Sequence, residues 1–301
     1  MGEFLNSLPG AAAQGLIWGI MAVGVYITFR ILDVADLTVD GTFCTGAAVC
    51  AVLMTRGDMN VWVAILIATL AGAAAGCVTG FFHMVLGIPA ILSGILTQLM
   101  LWSINLKIMS GANVAVPARQ YPNVLLTQMN IPKALLFLLA ASALTVAILY
   151  LFFGTEIGCA VRATGCNGAM SRAQGINTDI MKLIGLALSN ALVALSGAIL
   201  CQYQGFSDIN MGKGAIVIGL ASVIIGEALV RRIGKNFALK LTGIFVGSVI
   251  YWAVYQTVVF LKIDTDLLKM LSALLVALFL GLPYLKKRFV RSGTKGARDR
   301  S

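Results

Sequence analysis

The sequence predicts an all-α polytopic membrane protein of about nine membrane segments, arranged as two inverted repeats with two short broken helices. Three observations predict it. Hydrophobic residues make up 59% of the 301-residue chain and charged residues 11%, with a mean hydropathy of +0.93, far more apolar than a soluble domain. Charge-free runs recur at the length that a bilayer core of about 30 Å demands of a helix rising about 1.5 Å per residue. Two further apolar runs are too short to cross as straight helices, and they occupy corresponding places in the two halves of the chain.

The long runs are 4–29, 59–82, 84–106, 134–155, 183–207, 241–261 and 270–285, and the short ones are 41–55 and 214–226. Glu3 stands where a secretory signal would carry basic residues, so the first run is expected to be retained as a span. In order, the runs read long, short, long, long, then one extra span and a polar segment, then long, short, long, long. That is an internal repeat, with halves at about 4–110 and 181–285 in a single transmembrane domain, 1–301. Because the second unit begins an odd number of spans after the first, the copies face opposite ways. Short, glycine-interrupted segments at matching places in two such halves point to a transport site built from discontinuous helices.

Basic residues set the orientation. With the basic tail 286–301 placed in the cytoplasm, the segments 154–182 and 227–240 join it and the N-terminus lies outside. Fifteen of the 22 Lys and Arg residues then face the cytoplasm. The net charge of +10 is therefore a topology signal flanking membrane spans, and nucleic acid is excluded as a partner. The tail itself reads as a solvated anchor that touches anionic lipid.

Chemistry on the chain itself has little support. His83 is the only histidine, the six cysteines show no CxxC spacing, and no GxxxxGK[ST] run exists. No metal site, cofactor, Walker ATP site or catalytic constellation is expected, and an enzyme is excluded.

The polar segment 154–182 reads as two short helical pieces. Gly165 is expected to end the first, Asn167 to cap a second over 168–174, and Gly175 to supply a left-handed C-terminal cap. Ahead of the first short run, RILDVADLTVDGTF carries Asp33, Asp36 and Asp40. Asp33 and Asp36 fit a cytoplasmic loop. Asp40 must enter the membrane with the short run and fits an N-cap with Thr38 and Thr42 as local partners and Gly41 beside it. Asn210, Gly212, Lys213 and Gly214 stand at the corresponding break, Lys213 as an interfacial lysine. Inside the long spans, Gln98, Asn105, Ser189, Asn190, Gln202 and Gln256 are expected mainly to bond neighbouring helices, with Asn190 a candidate for the pathway. The alanine and glycine run 71–76 permits close helix approach.

Three stretches, FRILDVADLTVDGTFCTGAAV, IGCAVRATGCNGAMSRAQGINTD and GKGAIVIGLASVIIGEAL, resemble the permease subunits of type II bacterial ABC importers. The family is the branched-chain amino acid permease superfamily, and the likeness is to its branch of uncharacterised permeases, some linked to aromatic amino acids. The resemblance implies a homodimer of permeases in the bacterial cytoplasmic membrane, two cytoplasmic ATP-binding subunits and an extracytoplasmic substrate-binding protein. It also implies that the polar segment holds coupling helices, with Glu156, Arg162, Ala163, Gly165, Asn167, Arg172 and Gly175 meeting the ATPase. The expected solute is an amino acid, aromatic in that branch, with a nucleoside as the runner-up. A stand-alone secondary transporter or facilitator is the rival reading; against it, no carboxylate or lysine lies deep in a long span to carry a coupling ion.

Overall fold

The computed structural model describes residues 2–116, 131–230 and 236–260, with isolated helical positions at 270, 273, 274, 277 and 281. The predicted span 270–285 (apart from those positions), residues 117–130, residues 231–235 of the basic segment 227–240, residues 261–269 and the tail 286–301 lie outside the described residues. Ten α-helices and one small strand pair make up the described chain. They are α1 (Gly2–Tyr26), continued by a π-helical turn at Ile27–Ile31, α2 (Val39–Thr55), α3 (Val61–Met84), α4 (Ala90–Met109), β1 (Asn113–Ala115) and α5 (Ile131–Gly154). They continue as α6 (Glu156–Cys166), α7 (Gly168–Ala173), α8 (Thr178–Gln204), β2 (Phe206–Asp208), α9 (Ala215–Val230) and α10 (Phe237–Phe260).

Among the described residues, six helices are long and apolar enough to cross a membrane, matching the first six long runs read from the sequence. The two short apolar helices are α2 and α9, with 17 and 16 residues. At about 1.5 Å per residue each is about 25 Å long, below the thickness of a bilayer core. The remaining predicted segment, 270–285, falls largely outside the described residues.

Helix boundaries follow the local chemistry. Asn60, Thr155, Asn167 and Asn177 each cap a helix by accepting N–H groups of its first turn, at 3.0–3.2 Å. Gly205 ends α8 at φ 78° and Gly175 closes the turn after α7 at φ 82°, both in the left-handed region that glycine enters without strain. Two expectations need correction. The run 84–106 does not begin at Met84, because α3 continues through that residue and Gly87, at φ 69°, turns the chain before Pro89. Gly165 does not end a helix either: α6 runs through Cys166, and Gly165 is a packing position, since a Cβ there would collide with the Ile31 carbonyl oxygen.

The centre of the bundle is α1 and α8. Within α1's span 83% of residues are buried, against 22% for α5, whose outer face carries Leu136, Leu144 and Leu151 toward lipid. Ser189 and Ser196 of α8 donate to the Gly24 and Ile17 carbonyls of α1 at 2.7 Å each, tying the two together as in-span polar residues were expected to do. Gly72 and Gly76 let α3 lie antiparallel on α8, where any Cβ would meet the backbone near Asn190 and Leu186. The strand pair is antiparallel, Val114 opposite Ser207, and joins the end of α4 to the end of α8. Strand propensity over three residues is silent in the sequence until the partner strand is in place.

Candidate functional site at the paired helix breaks

The starts of the two short helices meet inside the protein. Asp40, in the first turn of α2, aims its carboxylate at the other break, accepting the N–H of Gly214 at 3.0 Å and that of Ile216 at 3.1 Å. It therefore caps α9. The expectation that Asp40 caps its own helix with Thr38 and Thr42 as partners is corrected: α2 begins without a side-chain cap, and both threonines bond elsewhere. The reason is topological, since free N–H groups at a helix start must find acceptors, and the fold brings Asp40 to them from 174 residues away. Gly214, at φ 88°, makes the turn into α9, and Gly212 passes so close to the Asp40 carbonyl that no side chain would fit. The Gly212 N–H also points at Cys44 Sγ, 3.1 Å away.

One turn away sits a buried polar network. Asp36 accepts the Thr38 N–H at 2.9 Å and the Asn190 side-chain amide at 2.7 Å, and it is fully buried. Asn190 in turn accepts the Thr42 hydroxyl at 2.8 Å and donates to the Leu186 carbonyl at 3.0 Å. The Thr38 and Thr79 hydroxyls lie 2.7 Å apart, extending the network to α3. Asp36 is thus an internal strut, not a loop residue in the cytoplasm. Its separation from Asn190 is 154 residues, so no local pattern announces the pair. Asp36 lies in the break between the first span and α2, outside any long span.

The remaining pathway candidates divide. Gly41 offers its carbonyl to Thr45 Oγ1 at 3.0 Å, within the same turn as Asp40. Asn210 is exposed, its N–H held by Asp208 Oδ1 at 2.7 Å in a turn, and its side chain does not join the network. Lys213 is exposed, as an interfacial lysine would be. Below the break, Arg30 of the π-helical turn pairs with Glu227 of α9 through two N–H donors at 2.8 and 2.9 Å. The sequence carried no signal for this pair, which binds the end of the first span to the second short helix.

The polar segment folds as α6 and α7, packed on the chain end of the first span through Gly165. Val161 and Thr164 face inward, whereas Glu156, Ala163, Asn167, Arg172 and Gly175 are exposed. Arg162 is half-buried, bonding Cys159 Sγ at 3.3 Å and lying 5.8 Å from the centre of the Phe237 ring, so it is a packing residue of this segment. Met170, 63% exposed at the tip of α7, and Ile157 add apolar surface that the sequence reading passed over. Exposed apolar side chains on a polar, capped knob fit a contact with another protein.

Discontinuous apolar helices meeting at a buried polar network define a polytopic membrane transport protein. The family follows from comparison. Residues 8–280 match the model of the permease component of branched-chain amino acid transport systems, and the chain belongs to that family, within the type II ABC importer permeases. It is 40% identical to a tyrosine transport system permease protein of Clostridioides difficile, over 92% of this chain and 91% of the relative. It is 33% identical to an uncharacterized protein of Rickettsia prowazekii, over 94% and 99%. Similarity extends at 24% identity to a ribose import permease protein of Escherichia coli, over 82% and 75%. No solved structure matches the chain significantly.

Proposed function

We propose that this chain is the membrane-embedded half of an ATP-driven importer, a homodimeric permease for an amino acid handed over by an extracytoplasmic binding protein. The observation that carries the reading is the Asp40 cap on α9. It couples the two short helices at their starts, so that displacing one displaces the other and reshapes the path beside them. The pathway runs past Thr38, Asp40, Gly41, Thr42, Asn190, Gly212 and Gly214.

Inverted halves at about 4–110 and 181–285 account for the two short helices starting in the interior. The N-terminus lies outside and the C-terminus in the cytoplasm of a bacterial inner membrane, the orientation that the distribution of basic residues favours. The exposed surface of α6 and α7 then docks on a cytoplasmic ATPase, one per permease. Gly165 transmits the motion, because α6 bears directly on the Ile31 backbone at the end of the first span. Hydrolysis belongs to the ATPase, and the permease performs no covalent step. The amino acid assignment is supported by the 40% identical tyrosine permease, against the more distant sugar permease.

A stand-alone secondary transporter would use Asp36 as its ion carrier. Against that reading, both Asp36 oxygens are already held by N–H donors of this chain.

Purification in mild detergent with the neighbouring ATPase co-expressed tests the proposal. ATPase retained with the permease, and ATP-dependent uptake in proteoliposomes, are expected. Uptake by the purified permease alone would overturn it.

A further inference from the structure

Between α5 and α10 runs a groove of about 630 Å³, lined by Leu139, Ala143 and Tyr150 of α5 and by Ala238, Val246 and Ile250 of α10. The Ser142 and Thr242 hydroxyls that reach it donate to the Leu139 and Ala238 carbonyls of their own helices, at 2.8 and 3.0 Å. A polar solute therefore finds no free hydroxyl midway along the groove, whereas a hydrocarbon chain needs none. Depth decides between hydrocarbon occupants. Leu139 to Tyr150 rises about 16 Å and Ala238 to Ile250 about 18 Å, at about 1.5 Å per residue. That is a little over half of a hydrocarbon core of about 30 Å, so the groove has the depth of one leaflet and is too short to seat a spanning helix.

The end at Tyr150 and Ala238 is the one next to the polar segment, and it carries a charge. Phe153 of α5 meets Phe237 of α10 edge to face at 5.1 Å, and the Arg162 guanidinium of α6 lies 5.8 Å from the centre of the Phe237 ring. Among the described residues, Arg162 bonds the Cys159 thiol and pairs with no carboxylate. A second apolar groove, of about 460 Å³ between α3 and α8, has Asp179 in its lining instead. The two grooves thus offer opposite charges to a headgroup.

We propose that the groove between α5 and α10 holds one acyl chain of an anionic phospholipid whose phosphate sits on Arg162. A guanidinium always carries its charge and matches phosphate with paired N–H donors. A basic residue at a membrane surface also draws anionic lipid. In the orientation proposed above, the lipid belongs to the cytoplasmic leaflet. The site needs neither a transported solute nor the ATPase, so it is independent of the importer reading.

The test is native mass spectrometry of the purified full-length chain, delipidated in mild detergent and titrated with dioleoylphosphatidylglycerol or dioleoylphosphatidylcholine. Phosphatidylglycerol should bind saturably and the more tightly of the two. Arg162→Gln should weaken it about fivefold, the effect of one basic residue at a membrane surface, and leave phosphatidylcholine nearly unchanged. Asp179→Asn should alter neither. Ala147→Phe, which fills the groove from an exposed position, should weaken both. Equal affinity of the unmodified chain for the two lipids overturns the proposal, and so does full binding by the Ala147→Phe variant. Competition by inorganic phosphate would assign the charge to a free anion and overturn it too. In intact membranes, a photoreactive p-benzoylphenylalanine in place of Ala143 identifies the occupant. A lipid adduct is expected; a cross-link to a second copy, or to residues 261–301 of the same chain, rules the lipid out.

Discussion

The carboxylate of Asp40 accepts the backbone N–H of Gly214 at 3.0 Å, across 174 residues of sequence. A single side chain thereby supplies the N-terminal cap that the second short helix lacks locally. Replacing Asp40 with Ala should cost about 1–2 kcal/mol, the usual value of a lost helix cap. Asp40→Asn, which keeps one acceptor oxygen, should recover about half. Thermal unfolding in detergent reads the difference, and an unshifted melting temperature for the Ala variant would show that the cap contributes nothing.

Asp36 and Asn190 hold the first break against α8. Asn190→Leu strands the Asp36 Oδ2 oxygen and the Thr42 hydroxyl, and a loss of about 2 kcal/mol or more is expected. Asp36→Leu combined with Asn190→Leu should cost less than the sum of the single changes, because the second substitution removes the group that the first left unpaired. Strict additivity in a double-mutant cycle would refute direct coupling.

Gly165 and Gly168, three residues apart in sequence, offer a matched comparison. A Cβ at Gly165 would collide with the Ile31 carbonyl oxygen, while one at Gly168 meets nothing within 4 Å. Gly165→Ala should destabilise by about 1–3 kcal/mol through overpacking, and Gly168→Ala should be neutral or stabilising by up to about 1 kcal/mol. Equal melting temperatures for the two variants would mean that α6 does not bear on the first span as described.

The exposed tip of α7 separates docking from folding. Met170→Ser and Arg172→Glu alter side chains on the surface, so stability should move by no more than about 0.5 kcal/mol. ATPase retention should nevertheless fall sharply if this surface is the docking site. Retention at the wild-type level, with the variant intact, would place the contact elsewhere.

Arg30 and Glu227 form a bidentate pair, yet the Arg30 side chain is 62% exposed. Water screens such a pair, and Arg30→Ala is expected to cost less than about 1 kcal/mol. A larger loss would assign the pair a structural role that its exposure does not predict.

Much of the architecture was legible because it is local or periodic. The first six long runs, the two short runs and the Asn167 and Gly175 caps each depend on residues within a turn or two of one another, and each has its counterpart in the structure, with the run 84–106 starting later than read. The site was legible only as a neighbourhood. Asp40 was found, but its partner was misassigned, since an N-cap motif names the residue that caps and not the helix that receives it. Asp36 was placed in a loop because a carboxylate near a span end ordinarily stays wet; its burial depends on Asn190, which no spacing connects to it.

The sequence by itself determined that this protein lives in a bilayer, where its spans run and which two helices stop short, because hydrophobic length and helix termination are properties of contiguous residues. Only the tertiary structure decided that Asp40 of the first interrupted helix caps the second and that Asp36 is an internal strut held by Asn190. Those relationships join residues more than 150 positions apart, and their energies exist only once folding has excluded water from between them.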